Sequence, residues 1–191
     1  IQKPYEDGSD DYYEDIAERI DHGELTEKDS IKFPDSLKYT TDAGRILYGG
    51  GGIMPDIFVP VDTIGNNAFY SEIARKGYIY RFALEYADNN RKKLNTFEGY
   101  QQLAKYLDAQ KIIDNFLVYI KKHGLEPPEN NSLAESSNLI TAQLKAYISR
   151  NFFDNDGFYP LIEDIDKPLQ KAIEVINDPG KEFTFIEKKK S

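Results

Sequence analysis

Apolar positions along this chain change period near residue 65. Before it, short apolar runs are broken up by acidic residues, glycines and prolines. After it, apolar residues recur every three to four positions, as on one face of a helix.

In the first region, Tyr12, Tyr13, Ile16 and Ile20 have roughly helical spacing with acidic residues between them, which predicts a surface helix over 9–22, closed by Gly23. Residues 24–36 read as loop, with Pro34 limiting helix there. The run LKYTT, TDAGR, ILYGG predicts a hairpin whose turn is supplied by Asp42, Ala43 and Gly44. Gly49 to Gly52 then break regular structure, and Ile57, Phe58, Val59 and Val61 predict a buried strand bounded by Pro55 and Pro60.

The second region predicts helices. Asn67 is placed to cap a helix over 68–76 that ends at Gly77, and a second covers 78–90 with Ile79, Phe82, Ala83 and Tyr86 on one face. A third is expected from Thr96. A fourth follows a cap at Asp108, carries the stripe Ile112, Ile113, Phe116, Leu117 and Ile120, and stops at Gly124 before the stiff Pro127-Pro128. Ser132-Leu-Ala-Glu135 reads as a capping box opening a helix to Phe153, which Asp154-Asn155-Asp156-Gly157 ends. Asp166 caps a last helix that tolerates Pro168 in its first turn.

The expected fold is therefore α+β: a short hairpin, strand and loop region over 1–64, followed by a mainly α-helical domain over 65–191. The 191 residues suffice for one ordinary domain or two small ones, and with 40% hydrophobic and 30% charged residues a real core is expected. The 14 Tyr suit half-buried positions, where the ring packs and the hydroxyl reaches water. The absence of Cys excludes disulfides, thiolate nucleophiles and thiolate metal sites. Residues 1–64 carry 6 Lys+Arg against 15 Asp+Glu, whereas the rest carries 18 of each. The acidic first third repels phosphate backbones, so no nucleic-acid partner is expected. The lysines before Ser191 read as a solvated terminus. No run approaches the roughly 20 apolar residues of a membrane span, and IQKPYEDGSDDYYED lacks the apolar run of a signal peptide. The start at Ile1, without Met, is expected of a piece cut from a longer protein.

Candidate chemistry is sparse. His22 and His123 each precede a glycine at an expected helix C-terminus, where an imidazole meets the negative end of the helix dipole. Neither has the spacing of a zinc site, so no metal or other cofactor is expected. Asp154, Asp156 and Gly157 imitate the opening of a calcium loop, but Pro160, the early Glu163 and Ile165 break its ligand pattern. Gly49, Gly50, Gly51 and Gly52 lack the following helix and Lys of a phosphate cradle. They read as a turn that lets backbone pass close to backbone, with the lining of a peptide cleft as the alternative. Asp56, between Pro55 and Ile57, reads as a structural acid accepting amide hydrogen bonds, with a general base as the alternative.

IQKPYEDG, DYYEDI with HGEL, DSIKFPDSLKYTT and above all GGGGIMPDIFVPVD resemble the end of the peptidase domain in the carboxyl-terminal processing (tail-specific) serine peptidases. The matching residues are Gly52, Ile53, Met54, Pro55, Asp56, Ile57, Phe58 and Val59. ARKGYIYRFALEYADNNRKKL and NFFDNDGFYPLIEDIDKPLQKAIEVI are similar to the helical tail of a longer subgroup. The resemblance implies an exported, periplasmic or cell-envelope parent, often with a PDZ module. Its serine attacks peptide carbonyls with a neutral lysine as general base. Both residues lie upstream of the matched segment. No Ser or Lys here aligns with them, and Ser9, Ser30 and Ser36 gain no catalytic role. The implied partners are the catalytic and PDZ modules and the parent's polypeptide substrates, with homo-oligomer formation left open. The rival expectation is a free-standing helical binding or scaffold domain without enzymatic activity.

Overall fold

A computed structural model of the chain describes residues 9–31, 35–42, 44, 46–49, 57–63, 65–128 and 130–178. The fold is α+β and mostly helical, with one two-stranded antiparallel hairpin. The chain divides into two compact units, residues 63–170 and residues 1–62 with 171–191.

In the first unit of the sequence, α1 spans Ser9–Asp21. It ends as its sequence predicts: Gly23 takes φ 78°, its N–H donates to Ile20 O, and Glu24 N–H donates to Arg19 O. This pair of bonds satisfies carbonyls that the helix leaves open. The strands β1 (Lys38–Thr40) and β2 (Ile46–Tyr48) pair with Lys38 opposite Tyr48 and Thr40 opposite Ile46. The positive φ of Gly44, 79°, makes the turn.

The strand expected over Ile57–Val61 is not formed. Residues 58–63 lie in no ladder, and Val61 is exposed. A strand exists only against a partner, and Pro60 has no N–H to give one. The described backbone bond of this stretch runs from Val61 N–H to Leu25 O (2.8 Å).

Residues 63–170 form a helical bundle: α2 (Ala68–Arg75), α3 (Tyr78–Asn89), the single turn α4 (Arg91–Leu94), α5 (Tyr100–Ala109), α6 (Ile112–Lys122) and the long α7 (Ser132–Ile162). α7 packs on α2, α3, α5 and α6. It presents Ile140, Leu144 and Ile148, spaced four apart on one face and fully buried, to Phe82 and Ala83 of α3, Leu103 and Leu107 of α5, and Phe116 and Ile120 of α6. Each large apolar side chain so covered contributes about 1.5–3 kcal/mol. The aromatic rings at the centre meet edge to face, Phe82 with Phe116 at 5.5 Å and with Tyr119 at 5.4 Å.

Three expected N-caps are not made, and two of the helix starts are displaced with them. Thr96 starts nothing; its hydroxyl donates to Lys93 O (2.8 Å) at the end of α4, and α5 begins after Gly99. Asp108 caps nothing. It lies inside α5 with its carboxylate on Lys145 Nζ (2.9 Å), and α6 starts after Lys111, which takes φ 49°. Ser132 and Glu135 form no capping box. Ser132 is already helical, Asn131 precedes it without a side-chain cap, and Asn130 Oδ1 accepts from Ser132 N–H (3.0 Å). The expected partners are drawn elsewhere, because Asn67 Nδ2 donates to Ser132 O (2.7 Å) and reaches Glu135 Oε2 (3.3 Å).

The last helix, α8 (Lys167–Asn177), starts as expected, with Asp166 Oδ1 accepting from Leu169 N–H (3.0 Å).

Candidate functional site

The glycine run enters the structure at its first residue. Gly49 is buried and its N–H donates to Leu37 O (2.8 Å), which extends the β1–β2 ladder by one bond beyond the Lys38–Tyr48 pair. Gly50, Gly51, Gly52, Pro55 and Asp56 lie outside the described residues. The hairpin thus leads directly into the run, with Tyr39 and Ile46 exposed on its strands.

The histidines are helix ends. His22 N–H donates to Glu18 O (2.9 Å) in the last turn of α1. His123 closes α6, its Nδ1 2.8 Å from Tyr119 O, and since a carbonyl only accepts, Nδ1 carries the proton. Tyr78 Oη donates to His123 O (3.1 Å), and the Tyr119 and His123 rings lie 4.1 Å apart. The next residue, Gly124, has φ 80°, and Leu125 N–H donates back to Ile120 O. The HisGly pairs therefore repeat one structural device at two helix C-termini.

Glu72 is held below the ordinary carboxylate value by the hydrogen bond it accepts from Lys76, and burial acts on two tyrosines. The Tyr86 hydroxyl is pushed above its ordinary value by burial and then by neighbouring Tyr106, and that of Tyr119 is pushed up chiefly by burial. Neither faces a nucleophile. Of the serines in the bundle, Ser71 Oγ donates to Asn66 Oδ1 (3.3 Å), and Ser136 Oγ lies 2.7 Å from Gly65 O and 2.9 Å from Ser132 O. Ser149 Oγ is buried and unpaired. None of these three faces a histidine or an amine. Among the described residues no group of three His, Asp or Glu could hold a metal ion, and no helix is long and apolar enough to cross a membrane. A cavity of about 300 Å³ between α5, α6 and α7 is lined by Asp108, Lys111, Ile112, Ile113, Asp114 and Thr141. Its opposed charges supply no convergent set of donors.

The segment that imitated a calcium loop is a corner. Asp154 has φ 49° and ψ −135° inside α7, so the helix breaks there and resumes over 155–162, where the sequence alone predicts an end. A backbone held there by a residue other than glycine costs about 1–3 kcal/mol. Gly157 permits the fold-back: a Cβ added to it would lie 2.6 Å from Ser149 Oγ and 2.7 Å from Phe153 Cβ. The second close approach is Gly65, φ 79°, where an added Cβ would lie 2.8 Å from Glu135 O. Sequence reading missed this junction of Gly65, Asn67, Ser132, Glu135 and Ser136. Its partners are some 65–71 residues apart, and nothing local in the sequence pairs them.

Residues 69–154 match the model of a family of unknown function, DUF8443. The match covers less than half of the chain and lies within residues 63–170. No curated protein and no solved structure matches the chain.

Proposed function

We propose that this chain is the carboxyl-terminal, non-catalytic portion of a carboxyl-terminal processing serine peptidase. Residues 1–64 complete the peptidase domain of the parent, and the helical region is a packing or assembly module. The parent is an endopeptidase of the periplasm or cell envelope that uses a serine and a lysine upstream of Ile1. The observation that carries this reading is the run GGGGIMPDIFVPVD in its sequence context. It is supported by the hairpin that leads into the run and by the lack of a single buried side chain among the described ones of residues 1–62. A segment that belongs to a larger sheet has this character, because its apolar side chains and ladder groups are completed by neighbours.

The second reading, a helical binding or scaffold domain, is favoured by one observation. The bundle closes its own core, and the family match falls wholly within it.

The coding sequence upstream of Ile1 separates the two. The peptidase reading expects a glycine-flanked serine there, with a lysine some tens of residues later. The full-length protein should then cleave unstructured polypeptides, lose that activity when the upstream serine is changed to alanine, and leave residues 1–191 inert alone. An upstream sequence without that pair, or hydrolysis that depends on a serine within residues 1–191, overturns it.

A further inference from the structure

The corner at Asp154 combines three features that a continuous helix lacks. Asp154 sits at positive φ, Ser149 keeps a buried hydroxyl without a partner, and Gly157 makes a contact too close for any side chain. The fold-back is complete. In a straight helix Tyr147 and Phe158 would be separated by about 16 Å along the axis, whereas their rings lie 5.2 Å apart. Arg150 also covers the Phe158 ring, at 5.2 Å.

The pairs that close the corner share a register. Ser149 meets Gly157 and Tyr147 meets Phe158, so both pairs are centred at Phe153 to within one residue. Two straight copies of α7, crossing antiparallel about a two-fold axis at Phe153, would form the same pairs between chains. Such an interface is self-complementary, as a two-fold dimer requires. Gly157, without a Cβ, permits the close crossing in either arrangement.

We infer that Asp154 is a hinge through which residues 155–162, with the chain that follows them, exchange between two copies of this chain. In the exchanged state each α7 runs straight from 132 to 162, Asp154 adopts helical angles, and the rings of Tyr147 and Phe158 stay covered by each other in trans. The contacts are retained and the backbone strain is released, so the balance between closed monomer and exchanged dimer is set by concentration and by the residue at 154. The inference does not depend on the peptidase reading.

The test uses residues 1–191, which contain no Cys. Chains carrying Tyr147→Cys are mixed at high concentration with chains carrying Phe158→Cys, then diluted and oxidised. Exchange predicts disulfide-linked heterodimers, and little linkage within either single variant alone. Light scattering on a sizing column supplies the second measurement. Asp154→Ala, which tolerates positive φ less well than aspartate, should tighten association by about tenfold or more, as two hinges are relieved per dimer. Asp154→Gly, which removes the strain in the closed form, should weaken it. Monomers under all these conditions, or linkage within the single variants equal to that in the mixture, would overturn the hinge. Should Asp154→Ala fail to fold, the mixed-cysteine experiment decides alone.

Discussion

Residues 1–62 and residues 63–170 differ in what they do with apolar side chains. Every buried apolar side chain among the described residues lies between Phe69 and Ile148. In residues 1–62, Tyr13, Ile20, Leu25, Tyr39, Ile46 and Val61 are exposed, and the one described buried residue is Gly49, which has no side chain. Charge follows the same division, since the excess of acid is concentrated in the first third. The helical region has the composition and closure of a folding unit. The first region has local structure, a helix with a proper C-terminal turn and a two-stranded hairpin, but no buried side chain among its described residues. Three-residue strands in an isolated hairpin are marginal in water. Local structure is thus cheap to encode, whereas stability requires a core, and the described side chains of residues 1–62 form none.

The largest expected effect separates the two regions directly. Phe116→Ala removes a fully buried ring at the centre of the bundle and should cost about 3–5 kcal/mol in denaturant unfolding of residues 1–191. Tyr39→Ala, on an exposed hairpin strand, should change the same transition by less than about 0.5 kcal/mol. Equal costs would erase the distinction.

Next come the junction residues. Gly65→Ala places a Cβ at 2.8 Å from the Glu135 carbonyl at positive φ, and should destabilise the bundle by roughly 1–3 kcal/mol. Asn67→Ala removes the α2 cap (Tyr70 N–H to Oδ1, 3.1 Å) together with the bond to Ser132 O, and should cost about 1–2 kcal/mol. Thermal or denaturant unfolding of the two variants checks both values.

A smaller effect appears at alkaline pH. Burial holds the folded pKa of Tyr86 and Tyr119 above the ordinary 10.0. A phenol with a raised folded pKa keeps its proton in the native state after the unfolded chain has lost it. Its contribution to stability is therefore fully present below a pH of about 10 and is lost as pH rises through the folded value. The thermal midpoint should decline above that pH, and Tyr86→Phe and Tyr119→Phe should each flatten the decline. A profile unchanged in both variants would place the alkaline loss elsewhere.

Much of the bundle is legible in the sequence because helix faces are local patterns. The stripes Ile79, Phe82, Ala83 and Ile112, Phe116, Ile120 are buried where their spacing puts them, and Asn67, Gly23, Gly77, Gly124 and Asp166 act at the helix ends their chemistry suits. What fails is choice among competing partners. Asp108 and Glu135 look like cap residues, yet in the folded chain Lys145 and Asn67 claim their carboxylates. The break at Asp154 is visible in Asp-Asn-Asp-Gly, but the resumption of helix beyond it depends on Gly157 fitting against Ser149. Ile57 to Val61 has strand composition and forms no strand, since composition supplies no ladder partner. Of the candidate site only Gly49 can be placed, as the last bond of the hairpin.

The comparison is tested most directly by amide hydrogen exchange on residues 1–191, followed residue by residue. Strong protection is expected in α3, α5, α6 and the 132–153 part of α7, approaching the level of global unfolding. Little protection is expected for the amides of α1, β1 and β2. Protection of the hairpin equal to that of Phe82, Phe116 and Leu144 would contradict this contrast, because residues 1–62 would then be stabilised within this chain without a further partner.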